Sequence, residues 1–147
     1  MKTARLTNQT RNIVLTIASA IMIFSFSSCS KKVNFLNSSV VPAAEGSVKV
    51  DKDKNKNYVI KIELSNLADP GRLTPPKNVY VVWMVADDNS TKNIGRIKSS
   101  TSFLSRRLTG SSETVSAVKP IKIFITAEDD ATIQYPLTEV VLSTANF

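Results

Sequence analysis

Residues 57–66 read Asn-Tyr-Val-Ile-Lys-Ile-Glu-Leu-Ser-Asn, and their alternation decides the fold. Tyr58, Ile60, Ile62 and Leu64 fall on one face, with Lys61, Glu63 and Ser65 on the other. A period of two, with one apolar and one wet face, is a half-buried strand of an antiparallel sheet. Just upstream, Ser-Val-Lys-Val-Asp (47–51) alternates in the same way, and the polar stretch 52–57 joins the two into an expected hairpin. Downstream, residues 67–78 carry Pro70-Gly71 and Pro75-Pro76 and must be a loop. Residues 79–86, Val-Tyr-Val-Val-Trp-Met-Val-Ala, are apolar on both faces and read as a central strand, with Trp83 sharing a face with Val79, Val81 and Val85.

The pattern continues to the end of the chain. Residues 87–93 form a turn, and a short strand is expected around 94–97. Residues 99–118 are rich in Ser and Thr; Phe103, Leu104 and Leu108 point to at least one more strand there, with its pairing open. Ile121, Ile123 and Ile125 share a face, residues 128–136 form a loop, and 138–144 form a last strand. No helical period occurs after the N-terminal segment. About seven short strands separated by turn signals predict an all-β, immunoglobulin-like antiparallel β-sandwich over residues 47–147. Its expected core includes Ile60, Ile62, Tyr80, Trp83, Ile123 and Ile125. A Trp on a central strand is similar to the buried Trp of immunoglobulin-like sandwiches. The inter-sheet disulfide of antibody domains is excluded, because the chain holds one cysteine.

The totals narrow the function. The 147 residues carry 19 basic and 12 acidic side chains and no histidine. Lacking histidine, the chain lacks the commonest general base and the commonest metal ligand. Three of the basic residues, Lys2, Arg5 and Arg11, lie in residues 1–28, which hold no acid; the rest carries 16 basic against 12 acidic, a net +4. Without a dense basic cluster, this surplus does not argue for nucleic-acid binding.

The single cysteine, Cys29, follows a basic start (1–12), an apolar run (13–26) and Ser27-Ser28. That succession is a secretory signal peptide, and the apolar run is shorter than the roughly 20 residues a spanning helix needs. Phe26-Ser27-Ser28-Cys29 resembles the lipobox of bacterial lipoproteins, departing from it at Phe26, where leucine is usual. The resemblance implies cleavage after residue 28, acylation of Cys29, and anchorage in a membrane through that residue. Ser30 is not the aspartate that tends to retain such proteins in the inner membrane. Lys31 and Lys32 are opposite in charge to the acidic residues that mark surface export in some bacteria. An outer-membrane lipoprotein facing the periplasm is therefore expected. Residues 29–46, rich in Ser, Asn and Ala with Pro42 and Gly46, have no sustained period and read as a lipidated cysteine followed by a flexible tether.

Pro75-Pro76, Tyr80 and Trp83, Ile94-Gly95, Phe103, Ile125-Thr126-Ala127-Glu128, Pro136 and Val140-Val141-Leu142 follow one another in an order similar to that of the extracytoplasmic C-terminal domain of the anti-sigma-K factor family. The resemblance covers just over half of the chain. It implies a β-fold and a sensing or scaffolding use in the envelope. It does not imply sigma-factor binding, since this chain has no cytoplasmic sigma-binding segment and Asp129-Asp130-Ala131 replaces the family's glycine-rich turn.

Five further features bear on chemistry. Residues 51–57, Asp-Lys-Asp-Lys-Asn-Lys-Asn, begin like a calcium loop, but Lys56 stands where glycine is needed and Ile62 where glutamate is needed, so a hairpin turn is expected. Asp87-Asp88 and Glu128-Asp129-Asp130 would hold a hard cation only if the fold brought them together. Ser116-Ala-Val-Lys119 fits the Ser-x-x-Lys of penicillin-recognising enzymes without its companion motifs. Arg96, Lys98, Arg106 and Arg107 form a basic patch or a charged strand edge. Trp83, Tyr80, Tyr58 and Phe124 are either sandwich core or a sugar-stacking platform. The expected function is non-catalytic binding or scaffolding of an envelope partner, without cofactor, metal or nucleic acid. The alternative is a small-ligand or glycan-binding lipoprotein.

Overall fold

The structure is a computed structural model that describes residue 9, residues 30–101 and residues 108–147. Residues 1–8 and 10–28, where a signal peptide is expected, and Cys29, Phe103, Leu104, Arg106 and Arg107 lie outside the described residues. Nine strands are described: β1 Lys31–Asn34, β2 Glu45–Lys52, β3 Tyr58–Leu67, β4 Val79–Ala86, β5 Thr91–Arg96, β6 Lys98–Thr101, β7 Leu108–Ser116, β8 Pro120–Glu128 and β9 Val140–Ser143. They form an all-β sandwich. One sheet has the order β1-β2-β3-β7-β6 and the other β5-β4-β8-β9. With β1 set aside, these are the two four-stranded layers of an immunoglobulin-like sandwich, in which a strand joins the three-stranded layer at its edge.

The alternation in β3 does what it predicts. Ile60, Ile62 and Leu64 are buried against the second sheet, while Lys61 and Glu63 face water. From the facing sheet, Tyr80, Val82, Met84 and Ala86 of β4 meet them, with Ile123, Ile125 and Ala127 of β8. The β4–β8 register makes Val82 oppose Ile125, and Met84 oppose Ile123, so that each inward layer pairs large side chains. Tyr80 reaches out of this core with its hydroxyl, which donates to the Ala68 carbonyl at 3.0 Å.

Three expectations change. Residues 31–46 are built into the domain and do not form a tether. β1 pairs with β2, Val33 opposite Val48. The chain then crosses to the second sheet, where Phe35 bridges Thr144 and the Leu36 amide donates to the Ser143 carbonyl at 2.8 Å. It returns with Val41 and Ala44 buried. These apolar residues fill a seam between two sheet edges, so they follow no strand period.

The strand expected near 94–97 is two strands in different sheets. β5 belongs to one layer and β6 to the other, and the buried Ile97 is the crossover, its amide donating to the Tyr80 carbonyl at 3.0 Å. β7 is a full strand although it is poor in apolar residues. Opposite Ile60, Ile62 and Leu64 it presents Thr114, Ser112 and Gly110; of its two bulky apolar residues, Leu108 packs against the core at the strand's start and Val115 faces out. Small residues there leave room for the large side chains of β3.

The third change concerns Trp83. It is fully buried, yet it does not belong to the core between the sheets. It lies on the opposite face of β4, where a second, smaller packing centre has formed.

Candidate functional site

β4 is apolar on both faces because both are covered. On the outer face, Trp83 pairs with Phe124 and Val81 with Thr126, while Val79 pairs with Glu128. The Trp83 and Phe124 rings stack with centroids 6.2 Å apart and planes 16° from parallel. A buried polar line runs beside them. The Trp83 indole N–H donates to Thr126 Oγ1 at 2.8 Å, and that hydroxyl donates to Glu128 Oε1 at 2.7 Å. Glu128 is the only buried carboxylate among the described residues.

Glu128 also ends the strand and begins the loop of residues 129–139. Its Oε1 accepts from the Leu137 amide at 3.1 Å and the Thr138 amide at 3.4 Å, while the Thr138 hydroxyl donates to the Ala127 carbonyl at 2.9 Å. From the other side, Asn93 of β5 donates through Nδ2 to the carbonyls of Ala131 (2.9 Å) and Ile133 (2.8 Å). Asn93 Oδ1 accepts from the Gly95 amide at 2.9 Å, next to a bulge where Gly95 has φ of 126°, a conformation suited to glycine. The β3–β4 loop joins in, as Lys77 Nζ lies 2.8 Å from Asp129 and Asn78 Nδ2 donates to the Asp129 carbonyl. Both ends of loop 129–139 are therefore fastened over the outer face of the second sheet. Among the residues it turns to solvent are two large apolar side chains, Tyr135, 74% exposed, and Leu137, 77% exposed, beside the exposed Asp129, Asp130, Thr132, Gln134 and Glu139. Buried donors satisfied by a carboxylate hold such a loop far more firmly than exposed contacts would.

A concave feature of different character lies at the opposite end of the sandwich. A cleft of about 440 Å³ is lined by Val50, Tyr58, Pro120 and Phe147, by Lys31, Lys52 and Lys119, and by one acid, Asp51. Lys31 Nζ stands 5.7 Å from the Phe147 ring centroid, and Lys52 Nζ stands 5.1 Å from that of Tyr58.

The remaining sequence candidates are placed as follows. The Asp53 carboxylate accepts from the amides of Asn55 and Asn57, both at 2.8 Å, and Lys56 takes a positive φ of 67°, so 51–57 is a turn braced by its own acid. Asp87-Asp88 and Glu128-Asp129-Asp130 are not brought together. In the β4–β8 register Val79 meets Glu128 and Ala86 meets Pro120, which puts the two acidic loops at opposite ends of an eight-residue strand, about 23 Å apart. Asp88 bonds Ser90 and Asp130 bonds Thr132, and these bonds hold both carboxyls below the usual carboxylate range. No group of three or more His, Cys, Asp or Glu among the described residues could hold a metal ion.

The Ser116 hydroxyl closes a local turn with Val118, donating to its carbonyl at 2.9 Å. Arg96 and Lys98 flank the sheet crossover beside Lys61, Glu63 and Glu113, a surface of mixed charge. The four aromatics form no common platform: Tyr58 and Tyr80 turn inward, while Trp83 and Phe124 lie under the outer face. Sequence reasoning missed Asn93, Tyr135 and Leu137. Their role depends on where loop 129–139 folds, which no local pattern encodes.

The fold and the pinned loop define an all-β sandwich with a fastened loop that exposes Tyr135 and Leu137. No family model matches the chain, and neither a curated protein nor a solved structure matches it.

Proposed function

We propose that the protein is a lipid-anchored β-sandwich of the cell envelope, facing the periplasm, and that it acts as a non-catalytic binding or scaffolding module through loop 129–139. The observation that carries the binding reading is the fastening of that loop by Glu128 and Asn93, which leaves Tyr135 and Leu137 in water. A tyrosine on a rigid backbone gives contact area at a small loss of conformational freedom, which is why such residues dominate protein interfaces. The glycan-binding alternative needs several exposed aromatic rings side by side. Trp83 and Tyr80 are buried, which favours a protein partner. A non-catalytic role is supported by Glu128, whose carboxylate is committed to the loop.

The test places a photoactivatable residue at position 135, and separately at the exposed Val115, in the full chain in its own envelope. One discrete crosslinked product from 135 and none from 115 is the expected result. Equal, diffuse crosslinking from both would overturn the assignment of the loop. Mass spectrometry of the mature N-terminus checks the anchor. An acylated Cys29 is expected, and an intact Met1 would sink the lipoprotein reading.

A further inference from the structure

We propose that the end of the sandwich bearing Lys31, Lys52 and Lys119 rests directly on an anionic lipid surface and that its cleft receives a phosphate-bearing lipid headgroup. The proposal rests on the reading of Cys29 as the lipid anchor, and two features of the structure carry it further.

The first is length. β1 begins at Lys31, two residues after Cys29, and a fully extended chain spans no more than about 7 Å over two residues. Ser30 itself lies against Asp51, whose carboxyl it helps, after Lys49, to hold below the usual carboxylate range. An acylated Cys29 therefore leaves no slack. It holds this end of the domain, and no other, within contact distance of the bilayer.

The second is the surface found there. β1, β2 and β3 put Lys31, Lys52 and Tyr58 at this end, and the turn between β7 and β8 adds Lys119. Lys54 and Lys56 project from the adjoining hairpin turn. Three acids of the same end are engaged, Asp51 with Lys49, Asp53 with the turn amides and Asp88 with Ser90, while Asp87, whose amide donates to the Lys119 carbonyl at 3.1 Å, is a fourth acid beside the lysines. Lys31, Lys52 and Lys119 have no carboxylate within 4.0 Å among the described residues. Two of them stand over aromatic rings that line the cleft, Lys31 over Phe147 and Lys52 over Tyr58, which keeps their ammonium groups beside it. Three ammonium groups against the single carboxylate of the cleft, Asp51, which Lys49 engages, suit a phosphate with the first carbons of a lipid behind it. Each lysine near such a surface strengthens contact roughly fivefold.

The experiment uses the full lipidated chain in two backgrounds, Asn55→Cys at this end and Glu139→Cys at the other, each labelled with an environment-sensitive dye. Acylation consumes the Cys29 thiol, so the parent chain should take up no dye. Dye on the parent chain would show that the anchor reading has failed, separately from the present proposal. The labelled proteins are placed in vesicles of phosphatidylcholine, with or without phosphatidylglycerol, that carry a headgroup quencher. The expected result is quenching at position 55 well above that at 139. It should strengthen severalfold with phosphatidylglycerol and fall severalfold in Lys52→Glu with Lys119→Glu. Lys119→Glu alone serves if the double variant does not fold. Quenching equal at the two positions, or indifferent to phosphatidylglycerol and to the lysines, would overturn the proposal.

Discussion

The Trp83 indole donates to the Thr126 hydroxyl at 2.8 Å on the face of β4 that turns away from the opposite sheet. This bond and the Thr126–Glu128 bond behind it convert an outer sheet face, normally wet in an antiparallel sandwich, into a dry one. Loop 129–139 is the cover, and Glu128 is the group that fastens it.

Trp83→Phe keeps an aromatic ring and removes the donor. It should cost about 1–2 kcal/mol, the size of a buried hydrogen bond with its partner left behind. Trp83→Ala should cost about 3–5 kcal/mol, because it also empties the space over Phe124. Chemical denaturation of the three proteins measures both. Equal losses for the two variants would mean that the N–H contributes nothing.

Glu128→Ala strands the Leu137 and Thr138 amides and the Thr126 hydroxyl. A loss of about 2–3 kcal/mol is expected. The same change should speed hydrogen exchange at Leu137 and Thr138 at least roughly tenfold, the equivalent of about 1.4 kcal/mol of local opening, while Ile60 and Ile62 change only with global stability. Glu128→Gln keeps an acceptor oxygen at a lower charge and should fall between the two. Unchanged exchange at Leu137 in Glu128→Ala would remove the carboxylate from its role.

Gly46 and Gly110 test the register of the first sheet. A methyl group at Gly46 would strike the Glu63 carbonyl, which is backbone and has nowhere to turn. At Gly110 it would strike the Ile97 side chain and meet Leu67 Cδ1 at 2.9 Å. Overpacking of this kind costs about 1–3 kcal/mol. Gly46→Ala should be the worse of the two, since a side chain yields by changing rotamer and a paired strand does not. Thermal unfolding of both variants decides. A neutral Gly46→Ala would put the pairing of Gly46 with Leu64 in error.

Tyr80 supplies a pH dependence. Burial, with Asp69 as a lesser cause, pushes its phenol up to about 12 from the ordinary value of 10.0. The folded state therefore holds this proton more tightly than the unfolded chain does. The resulting stabilisation is complete below pH 10 and is lost as the pH rises from about 10 to about 12. An ultraviolet titration should show a phenol ionising only toward about pH 12, and Tyr80→Phe should remove that late step. Tyr80→Phe should flatten the fall in stability over that interval. A Tyr80 that ionises near the ordinary value of 10.0 would mean that its hydroxyl is wet.

How much was legible varied with how the signal is carried. The period of two in β3 and the double-sided apolar run of β4 are local, and they led directly to strands, to a sandwich, and to Ile60, Ile62, Tyr80, Ile123 and Ile125 as its core. The Ser/Thr-rich β7 was ambiguous because its inward residues are small to suit β3, a reason that resides in another strand. Residues 31–46 looked like a tether because their apolar groups fill a seam between sheets and so repeat at no interval. Trp83 was rightly expected to be buried, but alternation alone does not say which face of a doubly apolar strand meets the other sheet.

The sequence by itself determined the fold class and the identity of the buried strands, because hydrophobic alternation acts between neighbours in the chain. It also set the place of Cys29 and the absence of histidine. Only the tertiary structure decided that the two acidic loops lie at opposite ends, that Glu128 turns inward to hold Leu137 and Thr138, and that three lysines meet around one cleft. Those relationships join residues far apart in the chain, and they exist only once the register of the strands has been set by the packing of the core.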